Sequence, residues 1–268
     1  MIIRIDQADD PRLEPYRSVR ERDLVGRDGM FIAEGRVVLE KAIAADPASL
    51  MSVLVAAHRL DSLSDLLDGL PTTTPVYAAA QDAMDRVVGF PIHRGILAIG
   101  RRPALDVDTL VARLPERALV VGLVGIANHD NMGGIFRNAA AFGVGAVLLD
   151  DGCCDPLYRK AIRVSVGAAL NVPTARAGDA AALVATLAAA GFEIVALSPS
   201  GSVELDAFIP GPRTAVLFGA EGPGLPAEVL ARVRSVRITM SGGFDSLNVA
   251  TTSGIVLHRA AAGRRQAP

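Results

Sequence analysis

The chain has 268 residues, 50% of them hydrophobic and 21% charged, enough for one large domain or two modest ones with a packed core. A net charge of −2 excludes a protein held to nucleic acid by bulk electrostatics alone, and the longest apolar run, ALVVGLVGIA over 118–127, is half a membrane span. The opening MIIRIDQADD carries charge from its fourth residue and has no apolar leader block, so a soluble, cytoplasmic protein with no membrane partner is expected.

Residues 1–105 hold mixed short elements. The run RSVRERDLVGRDG (17–29) alternates charges. MFIAE (30–34) reads as a strand, and Val37, Val38, Ile43 and Ala44, with Leu39 and Ala42 between, read as the helix after it. SVLVAAH (52–58) is a strand and DSLSDLLDGL (61–70) a helix with Asp61 as N-cap. PVYAA (75–79) and GILAIGRR (95–102) are further strands, making a small α/β sandwich. A break with two prolines follows at 101–117 and reads as a linker holding a short helix. The domains are therefore drawn at 1–105 and 118–268, with 106–117 as linker.

From Leu119 the pattern is regular. ALVVGLVG is a strand, 132–142 a helix, GAVLLD (145–150) a strand and 156–169 a helix. The alanine-rich GDAAALVATLAAAG (178–191) is a helix ended by Gly191. FEIVAL and TAVLFG (214–219) are strands, PAEVLARV a short helix, and SVRITM (235–240) a strand. A last helix runs from about Ser246 to Ala262, leaving GRRQAP as a frayed tail. Alternating helices with continuous apolar strands predict an α/β domain around a parallel sheet buried on both faces.

Two residue types carry little. Cys153 and Cys154 are adjacent with no third cysteine, and read as small buried or bystander residues. The histidines His58, His93, His129 and His258 show no paired-ligand spacing, so no metal is expected. Arginine outnumbers lysine 25 to two, which in an alanine-rich chain reads as codon bias before it reads as phosphate recognition.

Chemistry concentrates in three loops that follow strands of the second half, where ligands bind in open α/β sheets. They are IANHDNMGG (126–134), FGAEGPGLP (218–226) and ITMSGGFDSLNVATTSG (238–254). Gly219, Gly222 and Gly224 suit a ligand gripped through main-chain groups, although one glycine-rich turn alone is ambiguous. No GxxxxGK[ST] occurs, and FGVGAV (142–147) precedes a strand, so neither a P-loop nor a dinucleotide fingerprint is present. Glu221 is either a solvated turn carboxylate or a group that orients a neighbouring loop or a cationic ligand. Asp245 or Ser246 is read as N-cap of the last helix, with Asn248 in its first turn. In the helix over 132–142, Ile135, Phe136, Ala139 and Ala140 form the core face. Arg137 shares its side with Gly133, Gly134 and Ala141, which leaves room for an anion beside the guanidinium.

These loops resemble, in order, the three signature motifs of the SpoU-type RNA ribose 2′-O-methyltransferases of the SPOUT superfamily. NHDNMGGIFRNAAAFGV is similar to the first, with Asn131 and Arg137 at its asparagine and arginine positions. VLFGAEGPGL (216–225) resembles the second through Gly219 and Glu221, and RITMSGGFDSLNVATTSGI (237–255) the third through Ser-Leu-Asn-Val at 246–249. FIAEGRVVLEKAI and HRGILAI (93–99) are similar to segments of the family's ribosomal-protein-like RNA-binding domain. The chain departs from the pattern at Arg94, where glutamine is usual, at His129-Asp130, where a proline-containing pair is common, and at Thr239, where proline usually pins the backbone.

The resemblance implies a parallel-sheet SPOUT domain with a deep trefoil knot, a smaller N-terminal RNA substrate-binding domain and a homodimer. It implies transfer of a methyl group from S-adenosylmethionine to a ribose 2′-hydroxyl, with ribosomal RNA as the favoured partner and transfer RNA the alternative. Main-chain groups around Leu217, Gly219, Ile238, Met240, Leu247 and Ala250 would hold the cofactor. Asn131, Arg137, Glu221, Ser246 and Asn248 would shape the catalytic pocket. Arg137 is read there as a base or as a phosphate anchor that stabilises the oxyanion. A non-catalytic RNA-binding member of the fold and a base-nitrogen methyltransferase are the competing classes.

Overall fold

The computed structural model describes residues 1–17, 29–102, 104–241 and 246–266, with side chains as far as 262. Most of the charged run at 17–29, the candidate cap Asp245 and the end of the tail lie outside the described residues. The chain divides into two compact units, Met1–Pro103 with Asp155–Asn171, and Ala104–Cys154 with Val172–Pro268.

The first unit begins with β1 (Ile2–Ile5), β2 (Met30–Glu34), α1 (Arg36–Ala45), β3 (Leu50–Ala56), α2 (Ser64–Leu67), β4 (Val76–Ala79), α3 (Gln81–Val88) and β5 (Ile96–Arg101). The second opens with α4 (Val107–Ala112), β6 (Ala118–Leu123), α5 (His129–Ala141) and β7 (Ala146–Leu149). The chain returns to the first unit for α6 (Arg159–Val164) and α7 (Ala168–Asn171). It completes the second with β8 (Thr174–Arg176), α8 (Ala180–Ala189), β9 (Glu193–Leu197), β10 (Val203–Glu204), β11 (Arg213–Phe218), α9 (Ala227–Leu230), β12 (Arg234–Arg237) and α10 (Val249–Gln266).

In the first unit, five strands order as β1-β4-β3-β5-β2, with β1, β4 and β3 parallel and β5 antiparallel to β3 and β2. Leu54, Ala56, Tyr77, Leu97 and Ile99 face a core shared with Met84, Val87 and Val88 of α3. The helix α3 and the strand β1 carry no expectation from the sequence, although Ala83, Met84, Val87 and Val88 of α3 recur at helical spacing and form its buried face. Helix α1 buries Val38, Leu39 and Ala42 but leaves Val37 half exposed. The helix read over 61–70 shrinks to the four residues of α2 after a short 3-10 turn, and the Asp61 side chain caps neither. The helix read over 156–169 is two, because Val166 (φ 54°) and Gly167 (φ 81°) break it between α6 and α7.

This α6–α7 segment lies inside the stretch drawn as one domain over 118–268, yet it packs with the first unit. Arg159 binds Glu34 Oε2 at 2.6 Å and stands 4.5 Å over the Phe90 ring, and Arg102 donates to the Ala169 carbonyl at 2.7 Å.

In the second unit seven parallel strands order as β10-β12-β9-β11-β6-β7-β8. All six residues of β6 and all four of β7 are buried, as helix cover on both faces of a parallel sheet requires. The stretch read as a linker holding a short helix contains α4, capped by Asp106, whose carboxylate accepts from Thr109 N at 2.8 Å. Asp179 caps α8 in the same way, and Gly191 ends it at φ 74°. Short strands β8 and β10, unread in the sequence, form the two sheet edges. β12 stops at Arg237, three residues short of the strand read to Met240.

Helices α5 and α10 pack on each other closely. A Cβ on Gly134 would lie 2.7 Å from that of Ala250, so only glycine lets α10 approach here. Asn138 holds the contact, donating to the Ala250 carbonyl at 2.7 Å and to Ser253 Oγ at 2.9 Å. Ala140, read as core, is exposed, and Asn131 and Met132 are buried in its stead, because the buried stripe of α5 runs through Asn131, Met132, Ile135, Phe136 and Ala139 and Ala140 falls beyond its edge.

Candidate active site

The three loops meet at one end of the parallel sheet, in the second unit. Each is placed by a local device. In the first, Asn128 stands at the N-cap of α5, its Oδ1 accepting from Asp130 N at 2.8 Å. The polar mouth is thus divided: Asn128 caps, and Asn131, in the first turn, is 5% exposed and turned inward. The approach to this turn is braced from below, where Asp150 Oδ1 accepts from Gly125 N at 2.9 Å and Cys153 Sγ from Ile126 N at 3.3 Å. Burial pushes the Cys153 thiol up to about 12, which makes it an inert packing group, as its sequence context suggests.

The second loop is a tight return after β11. Ala220 and Gly224 form an isolated bridge, and Gly222 and Gly224 adopt φ of 85° and 70°. Gly219 has no room for a side chain: a Cβ would lie 2.3 Å from the Gly224 carbonyl carbon and 2.4 Å from Leu225 N. In the third loop, the cap of α10 is Asn248, not Ser246. Asn248 Oδ1 accepts from Ala250 N at 2.9 Å and Thr251 N at 3.2 Å.

The other end of that amide joins the loops. Asn248 Nδ2 donates to Asn131 Oδ1 at 2.8 Å and to Glu221 Oε1 at 3.3 Å, while Asn131 Nδ2 donates to the same Glu221 oxygen at 2.7 Å. Three residues from three loops, 27 to 117 positions apart, form one closed hydrogen-bonded set. Oε1 accepts two amides, so its carboxylate is held in one orientation at the cleft mouth.

Beside this set is a cleft of about 510 Å³ beyond the C-terminal ends of β9, β11 and β12. Apolar walls come from Leu197, Ile238, Met240 and Leu247, and polar ones from Ser198, Glu221, Ser246 and Asn248. Of the residues expected from sequence, Gly219, Glu221, Ile238, Met240, Ser246, Leu247 and Asn248 line it. Asn131 stands behind the lining, bonded to two residues that form it. Leu217 is fully buried inside β11, and Ala250 lies in the first turn of α10, so neither side chain is part of the wall. Arg137 is exposed on α5, one turn beyond Gly134, and is likewise outside the lining.

Ser198 and Pro199 also line the cleft and were not singled out. Their signal was available: SPSG is a turn-forming run directly after a strand of the parallel sheet. Thr239, whose lack of a proline ring suggests a looser stretch, is tied down, its hydroxyl donating to Glu204 Oε2 at 2.6 Å.

Residues 118–258 match the model of the SpoU rRNA Methylase family. A protein described as an uncharacterized tRNA/rRNA methyltransferase of Mycobacterium tuberculosis is 43% identical over 261 residues, which is 93% of this chain and 88% of the relative. Among solved structures, an AdoMet-bound rRNA methyltransferase from Sinorhizobium meliloti is similar with a TM-score of 0.83 at 21% identity, over 100% of this chain and 99% of the other. An RNA 2′-O ribose methyltransferase is similar at 0.80 and 25% identity, over 98% and 100%.

Proposed function

The chain belongs to the SpoU rRNA methylase family, and we propose that it methylates a ribose 2′-hydroxyl of ribosomal RNA with S-adenosylmethionine. The observation that carries this reading is the closed set of Asn131, Glu221 and Asn248 at the mouth of an apolar cleft.

The residues present fit the cofactor. A flat adenine and a methionine chain need an apolar slot with main-chain polar groups at its rim, supplied by Leu197, Ile238, Met240 and Leu247 against the Gly219–Gly224 turn. A sulfonium is cationic, and Glu221 presents an oriented carboxylate beside the slot. Bound there, S-adenosylmethionine supplies an electrophilic methyl group.

The chain's own work is placement and charge. Asn131 and Asn248 keep the Glu221 carboxylate from rotating, and Ser246 offers a hydroxyl beside them at the cleft. Arg137 holds an RNA phosphate and stabilises negative charge growing on the ribose O2′. We read it as an anchor and not as the base, because a guanidinium does not give up its proton in a protein. The proton leaves the 2′-hydroxyl to the phosphate or to solvent.

RNA recognition falls to the first unit. With a net charge of −2, local cations must supply the attraction. Arg12, Arg17, Arg36, Arg86 and Arg159 of this unit are ion-paired. Arg59 and Arg94, flanked by His58 and His93, are exposed at the end of β3 and the start of β5.

The reading extends to a homodimer, supported by the exposed Leu247 and Ile255 (43% and 41%), and to a deep trefoil knot. Light scattering tests the first. Stretching single molecules tests the second, because a knotted chain extends to less than its contour length.

The deciding experiment incubates the protein with labelled S-adenosylmethionine and RNA from a strain lacking its gene. The expected product is one linkage in ribosomal RNA resistant to alkaline cleavage. Label in transfer RNA would move the substrate, and label at a cleavable linkage would mean a base is methylated. Absence of both cofactor binding and label would leave a binding protein.

A further inference from the structure

β12 ends at Arg237, and the next three residues leave the sheet. Ile238 and Met240 line the cleft; Thr239, between them, does not. Among the described residues, none of the three takes part in a backbone–backbone hydrogen bond outside the strands. A segment so placed would sample many backbone conformations, and a ligand that needs one of them would bear the ordering cost.

One carboxylate supplies the missing restraint. Glu204, the last residue of β10, uses both oxygens. Oε2 accepts from the Thr239 hydroxyl at 2.6 Å, and Oε1 accepts from Arg237 Nε at 2.7 Å and meets Nη2 at 2.6 Å. The third nitrogen of that guanidinium donates to the Gly201 carbonyl at 2.8 Å. The loop carrying these acceptors lies hard against the strand end: a Cβ on Gly201 would be 2.4 Å from the Val236 carbonyl carbon. Ser198 N, at the start of the same loop, donates to the Val236 carbonyl at 3.0 Å. Thr239 and the two described residues that lead into the segment, Val236 and Arg237, are thus tied to the 198–204 stretch.

We propose that Glu204 is a positioning residue for the cofactor cleft, holding Ile238–Met240 in the binding conformation through Thr239 and Arg237. The pair Thr239–Glu204 does by hydrogen bonding what a proline at 239 would do by its ring, which fixes φ without a partner. This inference rests on the cleft being the cofactor site.

The test is calorimetric titration of the full chain with S-adenosylmethionine, alongside steady-state kinetics. Thr239→Val keeps the volume and removes the donor; Glu204→Ala removes the acceptor. Each is expected to raise Kd about fivefold, and the double variant no further than the worse single one, since both break one link. The KM for the methyl donor rises while kcat and the KM for RNA stay unchanged, a split that general loss of structure would not produce. Thr239→Ser restores the wild-type value, and Thr239→Pro introduced into Glu204→Ala recovers most of the lost affinity. Unchanged Kd in folded single variants, additive losses, or no recovery with proline overturns the positioning role alone. A wild-type chain that does not bind S-adenosylmethionine overturns the cofactor reading beneath it.

Discussion

Gly219→Ala adds a single methyl group to the tightest point of the second loop. The new Cβ would lie 2.3 Å from the Gly224 carbonyl carbon, 2.4 Å from Leu225 N and 2.6 Å from the Gly224 carbonyl oxygen. All three are backbone atoms, so no side chain can rotate away, and the return from Ala220 to Gly224 has to open. Overpacking of this kind costs about 1–3 kcal/mol. At about 2–4 °C per kcal/mol for a domain of this size, melting should fall by about 2–12 °C. Opening the turn also moves Glu221 away from Asn131 and Asn248, so S-adenosylmethionine affinity should drop at least about tenfold, equivalent to about 1.4 kcal/mol. Gly222→Ala is the control. Nothing lies within 4 Å of its Cβ position, although φ is 85°, so only the backbone penalty of about 1 kcal/mol applies. Scanning fluorimetry and calorimetry on both variants give the readout. If Gly219→Ala melts and binds like the wild type while Gly222→Ala does not, crowding is the wrong account of this loop.

Asn248→Ala removes both the cap of α10 and the donor to Asn131 and Glu221. Cap loss alone should cost about 1 kcal/mol, and methyl transfer should fall further than Tm implies; equal losses in an Asn248→Asp variant, which keeps the cap, would assign the activity loss to the amide donor. Arg137→Lys keeps the charge but loses the planar fork, so RNA affinity and turnover should both decline; a lysine variant equal to wild type would refute a fork-specific role. Cys153 should escape maleimide at pH 8 until the chain unfolds, as mass spectrometry can show, because burial raises its thiol to about 12. The combined Arg59→Ala and Arg94→Ala variant should weaken RNA binding and flatten its salt dependence by a slope of about two, leaving cofactor affinity intact; an unchanged slope would place the phosphate contacts elsewhere.

Long-period features were legible without coordinates. The uninterrupted apolar runs of β6, β7 and β11 announce a parallel sheet because strands buried on both faces cannot alternate. The three loops were legible because their glycines, amides and carboxylate have no packing role where they stand in the chain. What periodicity could not resolve is where helices begin. The cap belongs to Asn128 in α5 and Asn248 in α10, each chosen by a hydrogen bond rather than by a pattern. The strands β8 and β10, of three and two residues, lack the length to show a period at all.

The residue types at the site were therefore settled by the chain itself: a carboxylate, two amides and a glycine turn, each in a loop after a buried strand. Their union was not. Asn131 and Asn248 lie 117 positions apart, and only the packing of α10 on α5, permitted by Gly134 and held by Asn138, brings their amides to 2.8 Å. The allocation of Asp155–Asn171 to the first unit, and the tie between Thr239 and Glu204, have the same origin. Hydrogen bonds between distant segments leave no local mark in a sequence, because the partner is selected by the whole fold and not by its neighbours.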